Sequence, residues 1–144
     1  FQRARRYNKP LSLVMIDVDG FKDINDSLGH QAGDYVLREL ACCLKSATRN
    51  TDILARYGGD EFAILLPETD MRRAEALVKR MLHAVRNHSF KWRSEGITVE
   101  ISCGISTTGD LEEGGNDEEF IHRADSRLYT AKQSRELLYP VSNY

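Results

Sequence analysis

The chain has 144 residues, which suits one domain large enough to bury a core without disulfide bonds or a structural metal. Apolar residues make up 41% and charged residues 29%, so the composition excludes a disordered or collagen-like chain. The formal net charge is only −2 and no apolar run approaches the ~18 residues of a membrane helix, so neither DNA or RNA nor a bilayer core is an expected partner.

The first half of the sequence predicts a buried strand, a helix and a hairpin. A basic segment opens the chain, and the apolar run 11–16 after it predicts a strand buried on both faces. Apolar side chains recur at helical spacing from 33 to about 48. Segments 53–57 and 62–66 have strand-like patterns, and the glycine-containing turn at 58–61 predicts a hairpin between them.

The second half opens with a helix and then a strand. Thr69 or Asp70 is the candidate N-cap of the helix, and the polar residues 87–95 that follow it predict a loop. Residues 97–106 predict a strand, in which Gly104 marks either a bulge or a point of close packing.

A last helix completes the predicted fold. The acidic segment 109–119 predicts an exposed loop, and Asn116 is placed to cap a helix that runs to about residue 131. The order is strand, helix, strand, strand, helix, strand, helix. This order predicts an α/β (α+β) domain with one mixed, largely antiparallel sheet flanked by helices.

The cysteines and histidines have no spacing typical of a metal or redox site. Cys42, Cys43 and Cys103 form no CxxC pair, and their helical and strand contexts predict buried free thiols. Free thiols favour a reducing compartment, so we expect a cytoplasmic location, including the cytoplasmic part of a membrane-anchored parent protein. The histidines form no HExxH motif, which argues against zinc hydrolysis. Because the chain begins at Phe1 rather than methionine, we expect a piece of a longer protein.

Two acidic clusters follow apolar strands and are the candidate chemical centre. Asp17 and Asp19 follow the first strand, and Asp60 and Glu61 lie in the hairpin turn. Two carboxylates from separate strands, together with a backbone carbonyl, suit an octahedral ion such as Mg²⁺ whose coordination is completed by substrate phosphates. The adjacent pair Gly58-Gly59 would let the backbone approach a bulky anion. The alternative is an exposed turn with incidental acids, since turns favour glycine and aspartate.

Five sequence blocks occur in order between about Arg5 and Lys132. They are Asp17-Val-Asp-Gly-Phe-Lys-Asp-Ile-Asn-Asp26, Gly29-His-Gln-Ala-Gly-Asp34, Arg56-Tyr-Gly-Gly-Asp-Glu-Phe62, Ser102-Cys-Gly-Ile-Ser106 and Ala124-Asp-Ser-Arg-Leu-Tyr-Thr-Ala-Lys132. In content and spacing they resemble the motifs of the GGDEF family, the diguanylate cyclases. The resemblance implies a GGDEF domain at 1–136, truncated before its usual opening block, and a C-terminal tail at 137–144.

The resemblance implies a fold similar to the palm of nucleotide polymerases and to the nucleotidyl cyclases. It implies condensation of two GTP molecules into cyclic di-GMP and pyrophosphate, with Mg²⁺ as the cofactor and Mn²⁺ as the alternative ion. Each chain would offer half a site, so catalysis would need a homodimer. An upstream sensory or receiver domain in the parent protein is the expected regulator.

Individual roles follow from the resemblance position by position. Asp17, the backbone carbonyl of Val18 and Asp60 would hold the metal, and Asp60 with Glu61 would be catalytic. The implied substrate-binding residues are Lys22, Asn25, His30, Asp34, Gly58, Gly59 and Lys132. Among these, Asn25 and Asp34 match the guanine-reading positions, and a carboxylate is suited to accept from the N1 and N2 donors of guanine.

A second site is implied by the segment Arg49-Asn-Thr-Asp52. Its place upstream of the glycine pair matches the RxxD motif through which many family members bind their product as an inhibitor. Arg80 in the following helix is the expected third member, with Arg73 as the substitute.

The closing helix departs from the family pattern K-x-x-G-R-N. After Lys132, the expected glycine position holds Arg135 and the expected arginine position holds Glu136. Either the register slips by one or a phosphate contact is lost, since a glutamate near a triphosphate would repel it. The alternative function is therefore a catalytically weak GGDEF domain that binds GTP or cyclic di-GMP and signals to a partner. A purely structural domain would leave the clustered acids unexplained.

Overall fold

The computed structural model describes the backbone of residues 1–138 and the side chains of residues 1–134. The side chains of Arg135 and Glu136, and the tail from residue 139 onward, lie outside the described residues. The described elements, in chain order, are α1 Gln2–Arg6, β1 Leu11–Val18, α2 Phe21–Leu28, α3 His30–Ala47, β2 Ile53–Arg56, β3 Glu61–Pro67, α4 Met71–Asn87, β4 Phe90–Trp92, β5 Glu95–Ile97, β6 Ile101–Thr107 and α5 Asp117–Leu138, with a 3₁₀ turn at Thr108–Asp110.

Within the described residues, a four-stranded sheet has the order β2-β3-β1-β6, and β4 and β5 form a separate hairpin. Strand β1 lies inside the sheet and pairs antiparallel with β3 on one side and with β6 on the other. Its eight residues are all buried, as the uninterrupted apolar run predicts. The predicted largely antiparallel sheet with flanking helices is therefore confirmed.

Helices cover both faces of this sheet. Val14, Ile16 and Val18 of β1 pack into a core with buried side chains of α3 and α4. The alternate residues Leu13 and Met15 pack on the other face with α5, as the two-residue period of a strand requires. Because β1 is packed between helices on both faces, the position of its C-terminal end, which carries Asp17, is fixed.

Gly104 is a point of close packing and not a bulge. The register between β1 and β6 is continuous through Met15 and Gly104. A Cβ atom built at Gly104 would lie 2.2 Å from both the Ala124 carbonyl oxygen and the Leu128 amide nitrogen of α5. The absent side chain therefore lets the backbone of α5 approach the sheet.

The structure differs from the sequence-based expectation in several elements. Helix α2 was not predicted; it has only eight residues, and none of its side chains is fully buried. Helix α3 begins at His30, one turn before the predicted start. The expected loop 87–95 contains β4 and the turn of a hairpin, and the expected strand 97–106 is divided between β5 and β6. Arg93 and Ser94 have positive φ, which is the geometry of a tight hairpin turn.

Local details also correct or confirm single residues. Asp70 caps α4 by accepting a hydrogen bond from the Arg73 amide at 3.0 Å, which selects it over Thr69. Cys43 is buried and Cys103 is partly buried, but Cys42 is exposed on α3, so the expectation of three buried thiols is wrong for Cys42 and only partly met by Cys103. The three cysteines are free thiols. Within the described part of the chain, no helix is both long and apolar enough to cross a membrane.

Candidate active site

Acidic residues from two segments lie side by side: Asp17 near the end of β1, and Asp60 and Glu61 in the turn between β2 and β3. Asp17 lies opposite Glu61 in the ladder between β1 and β3, and Asp60 precedes Glu61 in the turn. The amide of Val18 donates to the carbonyl oxygen of Asp60 at 3.3 Å, which ties the turn to the end of β1. The Asp17 and Asp60 carboxyl groups consequently lie within hydrogen-bonding reach of one another.

The electrostatics of this cluster are those of crowded carboxylates. Burial raises the pKa of Asp60, and the charge and proximity of Asp17 raise it further against the opposing effect of Lys132. Burial also raises the pKa of Glu61, with Asp17 and Asp60 adding to the effect. Oδ1 of Asp17 is buried without a hydrogen-bond partner among the described residues. Negative charge therefore accumulates here beyond what the surrounding donors satisfy.

Lys132 of α5 supplies the cation nearest to this cluster. Its ammonium group donates to Oδ2 of Asp17. Burial lowers the pKa of Lys132, but the hydrogen bond and the negative charges of Asp17, Asp19 and Asp60 outweigh this effect and raise it. The last helix thus contributes a fixed positive charge to acids on the first strand.

The donor set fits a hard divalent cation bound jointly with a ligand. Asp17 offers a buried, unsatisfied carboxylate oxygen, and Asp60 offers a second carboxylate beside it. Across residues whose side chains are described, no group of three or more His, Cys, Asp or Glu is arranged to hold a metal. Further ligands must therefore come from backbone, water and phosphate oxygens, which is the pattern that Mg²⁺ prefers.

A cleft of about 360 Å³ adjoins the carboxylates. It is lined by Phe21, Lys22, Asn25, His30, Asp34, Leu37, Arg56, Gly59 and Asp60. Helices α2 and α3, joined through Gly29, form one wall, and the tip of the β2–β3 hairpin forms the other. The structure therefore gathers five of the seven predicted substrate residues with Asp60. Gly58 and Lys132 are not part of the lining, although Lys132 contacts Asp17.

Arg56 is a cleft residue that the residue-level interpretation missed. Its Nε donates to the carbonyl oxygens of Gly58 and Gly59 at 3.3 and 3.2 Å, and its Nη2 donates to that of Gly59 at 2.6 Å. These bonds hold the glycine turn in a single shape beside Asp60. The available signal was its place at the start of the Arg56–Phe62 block.

The predicted product-inhibition residues lie in the segment that follows α3 and on α4. Arg49 and Asp52 form an ion pair with a separation of 3.1 Å, and Arg49 also donates to the Pro67 carbonyl and the Thr69 hydroxyl. Arg80 lines a separate cavity of about 490 Å³ between α3 and α4. The substitute, Arg73, is exposed at the first turn of α4.

Comparisons with known proteins agree on one family. Residues 1–136 match the family model described as "Diguanylate cyclase, GGDEF domain". The chain is 45% identical over 125 residues to diguanylate cyclase A of Treponema denticola, covering 86% of this chain and 33% of that protein. It is 29% identical, with a TM-score of 0.85, to the GGDEF domain of DgcB from Caulobacter crescentus in complex with c-di-GMP, covering 92% and 78% of the two chains.

A further relative is named for a different activity. The cyclic di-GMP phosphodiesterase PdeR of Escherichia coli is 35% identical over 126 residues, which cover 88% of this chain and 19% of that protein. The chain thus spans a third or less of the length of these curated relatives.

Proposed function

Because the chain belongs to the GGDEF family of diguanylate cyclase domains, we propose that it condenses two GTP molecules into cyclic di-GMP and pyrophosphate. The observation that carries the proposal is the junction of the nucleotide-sized cleft with the Asp17–Asp60 carboxylate pair. The proposed catalytic unit is the segment 1–136. GTP as substrate favours a cytoplasmic location for it.

Mg²⁺ is the proposed metal, with Mn²⁺ as the alternative. Asp17, Asp60 and the backbone carbonyl of Val18 would hold it. When bound, such an ion neutralises triphosphate charge and lowers the pKa of an attacking hydroxyl group.

The chain's own residues bind and orient the nucleotide. Asn25 and Asp34 face the cleft from neighbouring helices and would hydrogen-bond guanine, while Lys22 and Lys132 would attract phosphate oxygens. His30 and the backbone of Gly58 and Gly59 would pack against the ligand. These contacts account for positioning, which is the larger part of catalysis in phosphoryl transfer.

Proton removal is assigned to the hairpin turn. Asp60, supported by Glu61, would accept the proton of the 3′-hydroxyl as its oxygen attacks the α-phosphate of the second GTP; the bond to the β-phosphate breaks and pyrophosphate leaves, once for each of the two bonds formed. That second GTP would be held in the same cleft of a second copy of the chain. A homodimer is therefore the proposed active form, and an upstream sensory or receiver domain would control its assembly.

The first prediction concerns product formation. Concentrated protein incubated with GTP and Mg²⁺ should yield cyclic di-GMP at a rate that rises more steeply than linearly with protein concentration. Asp60→Asn should lower the rate roughly 10²–10⁴-fold, the usual contribution of a general base. Chromatographic separation of the nucleotides measures both effects.

Glu75→Gln is the matched control, because it removes one exposed carboxylate of α4 away from the cleft. Wild-type turnover by Asp60→Asn would remove Asp60 from the mechanism. A rate strictly proportional to protein concentration would exclude a transient dimer as the active form.

The second candidate function is a GTP-binding or cyclic di-GMP-binding signalling module. It is favoured by the similarity to a protein named for phosphodiesterase activity and by the altered positions 135 and 136. Fusion to a dimerising coiled coil discriminates the two. A fused domain that binds nucleotide but makes no cyclic di-GMP would support the module and contradict the cyclase.

A further inference from the structure

We propose that Gly33 determines guanine selectivity by providing the space in which the Asn25 carboxamide is held. This inference rests on the proposed function, since it concerns how the same cleft distinguishes GTP from ATP. Gly33 has no side chain that could contact the nucleotide, so it would affect binding only through the position of Asn25.

The Asn25 carboxamide lies where the side chain of any other residue at position 33 would begin. A Cβ atom built at Gly33 would lie 1.9 Å from Oδ1 of Asn25, 3.0 Å from its Cγ and 3.1 Å from Cζ of Phe21. Real atoms do not approach to 1.9 Å, so the oxygen of Asn25 occupies the position that a methyl group of alanine would need. The carboxamide is thus seated directly against the backbone of α3.

Local stability does not explain the glycine. Gly33 is buried in the first turns of α3, where its amide donates to the Gly29 carbonyl at 3.2 Å. Its backbone is helical, and a glycine in a helix is less favourable than alanine by up to ~1 kcal/mol. What glycine provides at this position is the space that the Asn25 carboxamide occupies.

The contact of the Asn25 carboxamide with the backbone of Gly33 also determines which end of the carboxamide faces a ligand. Oδ1 of Asn25 is buried and has no hydrogen-bond partner among residues 1–134. With the oxygen held against Gly33, the amino group is the end left to reach into the cleft. It can donate to O6 of guanine, whereas adenine carries an amino group at that position and presents a donor to a donor.

Asp34 reinforces the same discrimination from the next position of α3. It lines the cleft together with Asn25. A carboxylate accepts from N1 and N2 of guanine, while N1 of adenine is an acceptor. Removing the Asn25 contact would therefore weaken, but not abolish, the preference for guanine.

The test measures nucleotide binding without turnover. Isothermal titration with the α,β-methylene analogues of GTP and ATP, in Mg²⁺, compares the wild-type chain with Gly33→Ala, Asn25→Ala and the double variant. We expect Gly33→Ala to lower affinity for the GTP analogue about tenfold and to leave the ATP analogue unchanged, the effect of one lost hydrogen bond. Asn25→Ala should cause the same loss.

The double variant isolates the pathway. If Gly33 acts through Asn25, then Gly33→Ala changes the GTP preference less than twofold in the Asn25→Ala background. In that background both Asn25 atoms are gone and Cζ of Phe21, at 3.1 Å, is the remaining close contact of the new methyl group, so the unfolding midpoint should lie close to that of Asn25→Ala alone. Independent, multiplying losses would overturn the proposal.

Two further outcomes are distinguishable. A wild-type chain that prefers GTP, with a Gly33→Ala variant that keeps the full preference, overturns the role of Gly33 and leaves the proposed function intact. A wild-type chain that binds the two analogues equally overturns the guanine site, and with it both proposals.

Discussion

At the scale of single residues, the surroundings of a cysteine determine how reactive its thiol is. Cys42 and Cys103 are both free thiols, yet the first is exposed on α3 and the second is partly buried on β6 and packs against the core. Burial raises the pKa of Cys103 to about 12, with the negative charge of Asp19 adding to the effect. The reactive thiolate of Cys103 is therefore scarce at neutral pH.

Alkylation provides the corresponding prediction. At pH 8, iodoacetamide should label Cys42 readily and Cys103 very slowly, because only ~10⁻⁴ of Cys103 is thiolate four units below its pKa. Since the pKa is raised, labelling of Cys103 should become faster with increasing pH, about tenfold per unit. Peptide mass spectrometry over time measures both rates.

The control for this prediction is Cys42→Ser, which should remove the fast phase and nothing else. Equal labelling of Cys42 and Cys103 in the folded protein would contradict the burial of Cys103. Addition of urea should abolish the difference between the two.

At the scale of elements, the docking of α5 depends on a single missing side chain. The helix lies so close to β6 that a Cβ on Gly104 would penetrate the backbone of residues 124 and 128. Backbone atoms in a hydrogen-bonded helix cannot move aside as a flexible side chain can. Any substitution here must displace α5 from the sheet.

We therefore expect Gly104→Ala to lower the free energy of unfolding by about 3 kcal/mol, the upper part of the usual range for an overpacked core. Equilibrium unfolding in urea measures the change. Cyclase activity should fall in parallel, because α5 carries Lys132 towards Asp17.

Gly96→Ala on β5 is the matched control, since a Cβ there meets no atom within 4 Å. It should leave the unfolding midpoint unchanged. A Gly104→Ala variant as stable as Gly96→Ala would mean that α5 is not tightly docked.

Helices and strands were predictable from the sequence where their side chains are buried along one face or on both faces. The run at β1 and the apolar stripe of α4 predicted their elements because water exclusion fixes the period of apolar residues. Helix α2 was not predicted, because it is held by contact of partly buried Phe21 and Ile24 with the rest of the core. The β4–β5 hairpin was missed for a similar reason, since its short strands are mostly exposed.

At the scale of the whole molecule, the candidate site combines segments that are distant in the chain. The motifs singled out Asp17, Asp60 and Lys132 in advance, and the structure brings these three side chains together. The seat at Gly33 and the bonds of Arg56 were not predictable, because they depend on distances between elements. The same holds for the predicted inhibition site, whose members lie on different elements.

Product inhibition gives the prediction at this scale. Arg80→Ala should raise the cyclic di-GMP concentration needed for half-inhibition without changing stability, because the guanidinium of Arg80 makes no hydrogen bond or ion pair with any described residue. Arg49→Ala should relieve inhibition and also cost about 1 kcal/mol of stability, since Arg49 holds Asp52 and the Thr69 hydroxyl. Cyclase assays and urea unfolding separate the two effects.

Unchanged inhibition in Arg80→Ala would place the product site elsewhere on the molecule. A loss of stability in Arg49→Ala with unchanged inhibition would mean that the segment 49–52 has only a structural role, in which its hydrogen bonds connect the end of α3 with the segment before α4.

The contact between Lys132 and Asp17 joins residues 115 positions apart. During synthesis on the ribosome, the acids of β1 and of the hairpin emerge long before the lysine that faces them. The nascent chain consequently carries these carboxylates without their lysine partner until α5 has emerged and docked. Termination between residues 62 and 131 would thus yield a chain that carries Asp17, Asp60 and Glu61 but lacks the lysine that contacts Asp17.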